Sequence, residues 1–305
     1  MRIVSLLPAA TEICFALDLG DSVVGVSPEC DFPPAALERP ALSRSLLDHA
    51  GKTSAETSRA VGARVAAGEA LYSIDEAALR DVAPDLILTQ GLCDVCAPSV
   101  GDVRDVAGRL PSPPDILALD PHRLEDVLGD IVRVGRACGA EEAAGSLVAD
   151  LRARIVRVRA RAERTGDRPR TLCLEWIDPL FVAGHWIPEM VRIAGGEDTF
   201  GRPGETSFRI EPKDLVLAAP EVAVLMPCGY HMDRVAKEAP LVTARAFWRD
   251  LPAARRDRVW LVDASSYFNR PGPRVVDGLE ILGHVLHPEA FPKRWPPDTV
   301  RLWAG

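Results

Sequence analysis

The sequence has few aromatic residues, no long apolar run and too little positive charge to balance its acids. Aromatic side chains make up 6% of the 305 residues. No stretch approaches the roughly 18 uninterrupted apolar residues of a membrane-spanning helix. The 36 lysines and arginines are outnumbered by 44 aspartates and glutamates, which gives a formal net charge of −8. We therefore expect neither a membrane span nor a nucleic-acid partner.

The short motifs of common enzyme classes are also missing. There is no Walker loop, no dinucleotide fingerprint at a first βα turn, no nucleophile elbow and no HExxH zinc motif. Since no base or nucleophile can be named, a binding protein is favoured over an enzyme.

The opening residues do not resemble a signal peptide. Pro8 and Glu12 interrupt the apolar run, and no small-residue cleavage site follows. Seven cysteines, an odd number, suit a reducing compartment better than a disulfide framework. We expect a cytoplasmic protein, or a periplasmic one if an export signal was removed.

One long helix is predicted near the middle of the chain, over Ala140–Arg164. Its apolar residues recur at steps of three and four, which is the pattern of a helix with one buried stripe. These residues are Ala144, Leu147, Val148, Leu151, Ile155, Val158 and Ala162. Arginines and glutamates occupy the opposite side.

Short apolar strands alternate with helices on both sides of this helix, as in α/β proteins. We predict two Rossmann-like α/β lobes, at residues 1–138 and 169–305, joined by a single backbone helix within 139–168. A ligand cleft is expected between the lobes. The alternative of one large α/β domain with a surface helix stays open.

A weak internal repeat supports the two-lobe reading. The segment 82–93 aligns with 218–229, with Pro84 over Pro220 and Asp85 over Glu221. Such self-similarity indicates two lobes built on one plan, although α/β units resemble one another by default.

Three local predictions concern the N-terminal half. Ile3–Leu7 is predicted as the first strand, and Thr11 as the N-cap of the helix that follows it. Residues 40–58 show little periodicity and are predicted to be irregular.

The candidate ligand residues follow the predicted strands. In an open parallel sheet the ligand lies beyond the carboxyl ends of the strands, where the loops converge. The candidates in the first lobe are Pro8, Glu29, Cys30, Gln90 and Cys93. Those in the second lobe are Glu175, Trp176, Trp186, Cys228, Tyr267, Phe268 and Arg270.

The rings among these candidates suit a large planar ligand, because flat rings in a cleft contact a macrocycle well. Packing between lobes is the alternative role for each ring. Arg270 would hold a carboxylate or phosphate of the ligand, or else brace its own loop by pairing with nearby acids.

Four cysteines lie in strand-end loops. Cys93 and Cys96 form a CxxC pair, which can hold a soft metal or cycle as a dithiol. A closed site would also need Cys30 and Cys228. The alternative is that all four are small, partly buried apolar residues.

The chain resembles a known family at several places. The opening RIVSLLPAATEICFALDLGDSVVGVSPECDFP, the segments DLILTQGLCDVCA, AGHWIPEMVRIAGGED and PEVAVLMPCG, and the central helix resemble cobalamin and iron-chelate solute-binding proteins of the helical-backbone metal receptor type. The resemblance implies two lobes on one rigid helix and a corrinoid, haem or chelated iron as ligand.

The resemblance also implies an ABC permease as partner, docked through a surface glutamate of each lobe. Glu205 or Glu211 would serve in the second lobe. The missing export signal and the extra cysteines point instead to a cytoplasmic branch.

The leading hypothesis is a binding protein, not an enzyme, for cobalamin or a related metal chelate. The alternative is a thiolate site for zinc or iron, or a redox protein, on the same fold. An enzyme acting on a corrinoid side chain is a third possibility.

Overall fold

The computed structural model describes residues 1–47, 51–92 and 97–304. The chain divides into two compact units. The first unit comprises Met1–Gly51, Arg59–Pro121 and Glu125–Asp150, and the second comprises Lys52–Ser58, His122–Leu124 and Leu151–Gly305. Two short pieces from the first half of the sequence therefore pack with the second unit.

The first unit is built on a parallel sheet. Its strands are β1 Ile3–Ser5, β2 Val23–Val26, β5 Leu86–Gln90 and β6 Asp115–Leu119, and β3 Ser43–Ser45 pairs antiparallel with β4 Tyr72–Ile74. Its helices are α1 Pro8–Ala16, α3 Glu76–Val82, α4 Val100–Ala107 and α5 Leu124–Cys138, and α2 Ser54–Ala66 begins in the second unit. The sheet order is β2-β1-β5-β6. Val4, Leu79 and Ile87 are part of the core that packs against it.

The second unit is built on a mixed sheet. Its strands are β7 Arg170–Trp176, β8 Phe181–Val182, β9 Glu197–Asp198, β10 Phe208–Arg209, β11 Val222–Leu225, β12 Val259–Val262 and β13 Val300–Leu302. Its helices are α7 Ile187–Ile193, α8 Pro212–Ala218, α9 Met232–Glu238, α10 Pro240–Thr243, α11 Ala246–Arg249, α12 Pro252–Arg255, α13 Ala264–Tyr267 and α14 Val275–Leu286. The order is β10-β8-β7-β11-β12-β13, and β9 also pairs with β7.

The predicted central helix is present as α6, Glu141–Ala162, which has 22 residues. At 1.5 Å per residue it is about 33 Å long. Its residues up to Asp150 cluster with the first unit and those from Leu151 with the second. Six residues of the predicted stripe are buried, and Leu147 is half-buried. The two α/β lobes and the connecting helix are confirmed.

The repeat seen in the sequence has a structural counterpart in both units. Ala83 is the C-cap of α3 and Ala219 is the C-cap of α8, and both residues are left-handed, with φ of 39° and 46°. Pro84 and Pro220 follow, and a proline there prevents the helix from continuing. Each connection leads into a central parallel strand.

The aligned acids make the same contact in each unit. The Asp85 carboxylate accepts a hydrogen bond from the Arg2 backbone N–H at 2.7 Å. The Glu221 carboxylate accepts one from the Arg170 backbone N–H at 3.1 Å. Each acid thus fastens its strand to the beginning of the neighbouring strand.

Two local predictions were wrong. The first helix begins at Pro8, not after Thr11, because proline lacks the backbone N–H that is unsatisfied in a first turn and its fixed φ suits a helix start. Residues 40–58 are not irregular throughout, since they contain β3 and the start of α2. In the described part of the chain, no helix is long and apolar enough to span a membrane.

Candidate functional site

Pro8 and Gln90, two candidates of the first unit, lie where the strand order of its parallel sheet switches from one side to the other. From β1 the chain moves to β2 on one side and later to β5 on the other. Pro8 begins α1 directly after β1, and Gln90 ends β5 with 8% of its surface exposed. A crevice at such a switch is a common ligand site in α/β sheets. Glu29 lies at the surface in the loop after β2.

Cys30 does not line an open surface. Its side chain is 2% exposed, and its Sγ lies 3.0 Å from Thr11 Oγ1 and 3.2 Å from Ser27 Oγ. Thr11 Oγ1 also donates to Ser5 Oγ at 2.8 Å. The thiol and these hydroxyls form a buried polar cluster that ties the ends of β1 and β2 together. Thr11, predicted as a cap, is part of this cluster.

Cys93 and Cys96, the CxxC pair, lie outside the described residues. Their roles in ligand contact and metal binding therefore stay predictions. Among the described residues, no group of three or more histidine, cysteine, aspartate or glutamate side chains is arranged to hold a metal ion. Cys14 and Cys173 are buried, and Cys228 is half-buried.

In the second unit the strand order switches side at β7, which has β8 on one side and β11 on the other. Glu175 lies near the end of β7 and Cys228 follows β11, and the Cys228 N–H donates to the Glu175 carbonyl oxygen at 2.9 Å. In the next residue, the Gly229 N–H donates to the Asn269 side-chain oxygen at 3.3 Å. The loops after three strands, β7, β11 and β12, therefore meet at one edge of the sheet. Of the predicted residues, Glu175, Trp176 and Cys228 are brought together here.

Glu175 is a carboxyl group at this edge whose pKa is strongly raised. Its side chain is half-buried. Loss of water contact raises the pKa of Glu175 to about 7, although hydrogen bonds from the Gly184 backbone and the Ser207 side chain oppose the shift. A Cβ at Gly184 would lie 2.4 Å from the Ser207 nitrogen, so only glycine allows this close approach. Near neutral pH this carboxyl group can either donate or accept a hydrogen bond.

The predicted rings separate into two kinds. Trp186 and Phe268 are 4% and 0% exposed, and the Trp186 indole donates to the Phe268 carbonyl oxygen at 2.9 Å. These two rings belong to the core of the second unit, and their contact with a ligand stays a prediction. Trp186 can be buried at little cost because its indole N–H has a backbone acceptor inside the unit.

Trp176 and Tyr267 are half-buried and keep exposed surface. The Trp176 ring meets Tyr230 edge-to-face, with centroids 5.3 Å apart. The Arg274 guanidinium lies 5.5 Å from the Tyr267 ring centroid. These two rings remain candidates for ligand contact.

Arg270 is buried, with 7% of its surface exposed. Its Nη2 donates to Ser265 Oγ at 3.2 Å. The acids nearest to it along the following helix, Asp277 and Glu280, both bind Arg154 of α6. Direct contact of Arg270 with a ligand stays a prediction.

Three residues near Trp176 were not anticipated. The Ser54 carbonyl oxygen accepts from the Trp176 indole, and Arg234 and Glu238 bind the backbone at Lys52 and Ser54. Ser54 and Glu238 are 184 positions apart in the sequence. A local signal did exist, because Thr53 to Glu56 has the capping-box pattern, which marks the start of a helix. Thr53 and Glu56 make that reciprocal pair, at 2.8 and 3.3 Å.

Both candidate docking glutamates lie at the surface of the second unit. Glu205 pairs with Arg202 at 3.2 Å. Glu211 pairs with Arg209 at 3.1 Å and also caps α8. Neither pairing tests the predicted contact with a permease.

Comparison with protein-family models finds no match. Among curated proteins, the chain is 22% identical over 296 residues to an uncharacterized ABC transporter substrate-binding lipoprotein of Bacillus subtilis, covering 95% of this chain and 81% of the relative. It is 24% identical over 285 residues to a vitamin B12-binding protein of Vibrio cholerae, covering 92% of this chain and 86% of the relative.

Solved structures are similar over nearly the whole chain. The periplasmic haem-binding protein RhuT of Roseiflexus sp. RS-1 has a TM-score of 0.71 and 23% identity, covering 95% of this chain and 98% of its own. The periplasmic vitamin B12-binding protein BtuF of Vibrio cholerae has a TM-score of 0.66 and 22% identity, covering 96% and 98%. The chain has the fold of these periplasmic binding proteins. At this level of identity the likeness concerns the fold alone.

Two predictions lose support from these comparisons. The matched proteins are described as periplasmic or as a lipoprotein, so nothing supports a cytoplasmic branch. The two curated relatives are described as an ABC transporter substrate-binding lipoprotein and a vitamin B12-binding protein, and these descriptions do not favour a thiolate metal site or a redox protein. Of the four strand-end cysteines that suggested the thiolate site, Cys30 is buried and Cys228 is half-buried, while Cys93 and Cys96 lie outside the described residues.

Proposed function

We propose that the chain is the solute-binding component of an ABC-type uptake system. We further propose that its ligand is a corrinoid of the cobalamin type, and haem or an iron chelate is the alternative ligand. The observation that carries the proposal is the match with a vitamin B12-binding protein over 92% of this chain in sequence. The same ligand is named for a fold neighbour that covers 96% of it. A small-molecule chelate and an ABC permease are the proposed partners, and the proposed location is outside the cytoplasmic membrane.

The geometry of the second unit supports this proposal. Half-buried rings, Trp176 and Tyr267, offer flat apolar faces, and Glu175, Cys228 and Asn269 supply polar groups at the same sheet edge. Such a mixture suits a large planar ligand whose rim carries polar groups. In the first unit, Pro8, Glu29 and Gln90 are the proposed contacts, while Cys30 supports its loop from inside.

Ligand titration tests the proposal directly. Purified protein is titrated with cyanocobalamin, cobinamide, haemin and a ferric hydroxamate, while visible absorbance and tryptophan emission are followed. We expect saturation at one equivalent with at least one of these ligands and quenching of emission. The absence of any response to all four would overturn the proposal.

A matched pair of variants locates the quenched ring. Trp176→Phe removes an indole at the proposed site. Trp260→Phe removes a half-buried indole within β12 that packs against His284, with centroids 5.7 Å apart. We expect ligand quenching to fall strongly in Trp176→Phe and to persist in Trp260→Phe. Equal loss in both variants would place the ligand elsewhere.

A further inference from the structure

The segment Lys52–Ser58, named here the anchored segment, packs with the second unit although it comes from the first half of the sequence. It contains the start of α2, Ser54–Ala66. Side chains from two separate elements of the second unit fasten it. This arrangement bears on Trp176, which the proposed function places at the ligand.

The first contact that holds the anchored segment is a hydrogen bond between the Glu238 carboxylate and the start of α2. Glu238 is 5% exposed, and its Oε2 accepts from the Ser54 backbone N–H at 2.9 Å. A carboxylate there is favoured by the free N–H groups and the dipole of the helix N-terminus. Because water is excluded from this contact, its loss would leave a buried charge without its backbone donor.

The second fastening runs through Arg234. Its Nη2 donates to the Lys52 carbonyl oxygen at 3.1 Å, and its Nε lies 3.5 Å from Glu238 Oε1. The same guanidinium lies 3.8 Å from the centroid of the Tyr230 ring. Arg234 therefore links the anchored segment to the aromatic pair of Tyr230 and Trp176.

The third fastening is made by Trp176 itself. Its Nε1 donates to the Ser54 carbonyl oxygen at 3.2 Å and to the Asp178 carbonyl oxygen at 3.1 Å. One contact comes from the anchored segment and the other from the turn after β7. The orientation of the indole thus depends on where Ser54 is held, and Glu238 holds Ser54.

We infer that the anchored segment is part of the ligand site, that it sets the orientation of the Trp176 ring, and that Glu238 and Arg234 are its positioning residues. This inference rests on the proposed function, because it assigns Trp176 to ligand contact. The chain connection through residues 52–58 makes the first half of the sequence a contributor to the site of the second unit.

The test compares Glu238→Ala with Glu238→Gln and with Asp233→Asn. Glutamine keeps an acceptor for the Ser54 N–H, while alanine removes it. Asp233 is an exposed acid of the same helix and serves as the matched control. Each variant is titrated with cyanocobalamin, cobinamide and haemin, and its thermal unfolding and tryptophan emission are recorded without ligand.

We expect Glu238→Ala to bind about tenfold more weakly than the parent chain, since a charge-assisted hydrogen bond is lost. Its emission maximum should shift, because the Trp176 N–H loses a fixed partner. Glu238→Gln should recover most of the affinity, and Asp233→Asn should bind like the parent. Normal binding and unchanged emission in a folded Glu238→Ala would overturn the inference.

Limited trypsin digestion gives a second readout that does not require Glu238→Ala to be as stable as the parent. Cleavage after Lys52 is followed by mass spectrometry with and without cobinamide. We expect faster cleavage in Arg234→Ala than in the parent, and protection by ligand in the parent. Cleavage after Lys52 that neither the variant nor the ligand changes would also overturn the inference. Failure of the parent chain to bind any ligand would instead defeat the proposed function alone.

Discussion

At the scale of single residues, the carboxyl group of Glu175 combines position and titration in one place. It lies near the end of β7, beside the loop that carries Cys228, and burial raises its pKa to about 7 from 4.5. The folded chain therefore holds a proton at Glu175 in a pH range where the unfolded chain has released it.

This difference predicts a pH-dependent stability with a defined sign. Because the folded state binds the extra proton, the contribution of Glu175 is complete below about pH 4.5 and is lost as the pH rises to about 7. Glu175→Gln removes that loss. We expect the variant to unfold at a higher temperature than the parent at pH 8 and at a similar temperature at pH 5. Parallel pH profiles of the two proteins would contradict the assignment.

Thiol accessibility offers a second prediction at this scale. Cys14, Cys30 and Cys173 are buried, whereas Cys138 and Cys228 are partly exposed. Burial also raises the pKa of the Cys14 and Cys173 thiols, which keeps them protonated and unreactive. Of these five, we expect iodoacetamide to modify Cys228 and Cys138 first in the folded protein, and the other three only in urea. Early labelling of Cys30, detected by mass spectrometry, would show that its polar cluster opens to solvent.

At the scale of elements, close backbone packing supports the loop that carries Tyr267. A Cβ at Gly278 of α14 would lie 2.2 Å from the Tyr267 carbonyl oxygen, which is too close for any side chain. The glycine allows α14 to pack directly on the end of α13. The position of the Tyr267 ring thus depends on a residue of another helix.

A pair of glycine substitutions tests this packing. Gly278→Ala should lower the free energy of unfolding by about 1–3 kcal/mol, the usual cost of overpacking. Gly145→Ala in α6 meets nothing within 4 Å and should raise it by about 0.5–1 kcal/mol, because alanine favours the helix. Urea denaturation measures both values. Equal effects of the two substitutions would argue against the close contact.

A second feature at this scale fastens α6 to α14. Arg154 binds both Asp277 and Glu280, the latter at 2.9 Å. Burial alone would raise the pKa of Glu280, but Arg154 and Lys293 outweigh burial and lower it. The half-buried cation thus joins the C-terminal half of the connecting helix to the second unit.

Removing this cation should weaken the second unit. Arg154→Ala leaves two half-buried carboxylates without their shared partner, and we expect a loss of about 1–2 kcal/mol in the free energy of unfolding. Arg157→Ala, at an exposed position of the same helix, should change it by less than about 0.5 kcal/mol. The difference between the two should shrink at high salt. A salt-independent difference would indicate lost packing instead of charge.

At the scale of the whole molecule, binding should appear as added stability. A ligand that binds only the folded chain adds about 2.7 kcal/mol at a free concentration of 100 times its dissociation constant. We expect one of cobinamide, cyanocobalamin and haemin to raise the unfolding temperature by several degrees. A sugar added at the same concentration should leave the unfolding temperature unchanged. A shift with every additive would indicate a general solvent effect.

Much of the fold was predictable because its signals are local. The stripe of α6 recurs at helical spacing, and Val259–Val262 is apolar between turns. The start of α1 was predicted too late in the sequence, because threonine is a common N-cap and Thr11 was chosen over Pro8. The start of α2 was missed because the capping pair Thr53 and Glu56 lies in a stretch of small polar residues.

The candidate site was predictable only in part. Placing candidates after strands identified Glu175 and Cys228, because parallel strands bring their carboxyl ends to one edge. The same rule could not separate Trp176, the last residue of β7, from Trp186, which follows β8. Only the folded chain shows that one donates to the anchored segment and the other to a core carbonyl oxygen.

The two α/β halves, the helix between them and the approximate positions of the strands were readable from the sequence alone, since spacing and turn residues act over a few positions. Tertiary packing decides which rings are buried and brings the Ser54 N–H to Glu238. Such partners depend on how distant parts of the chain pass one another, and no local preference records that path.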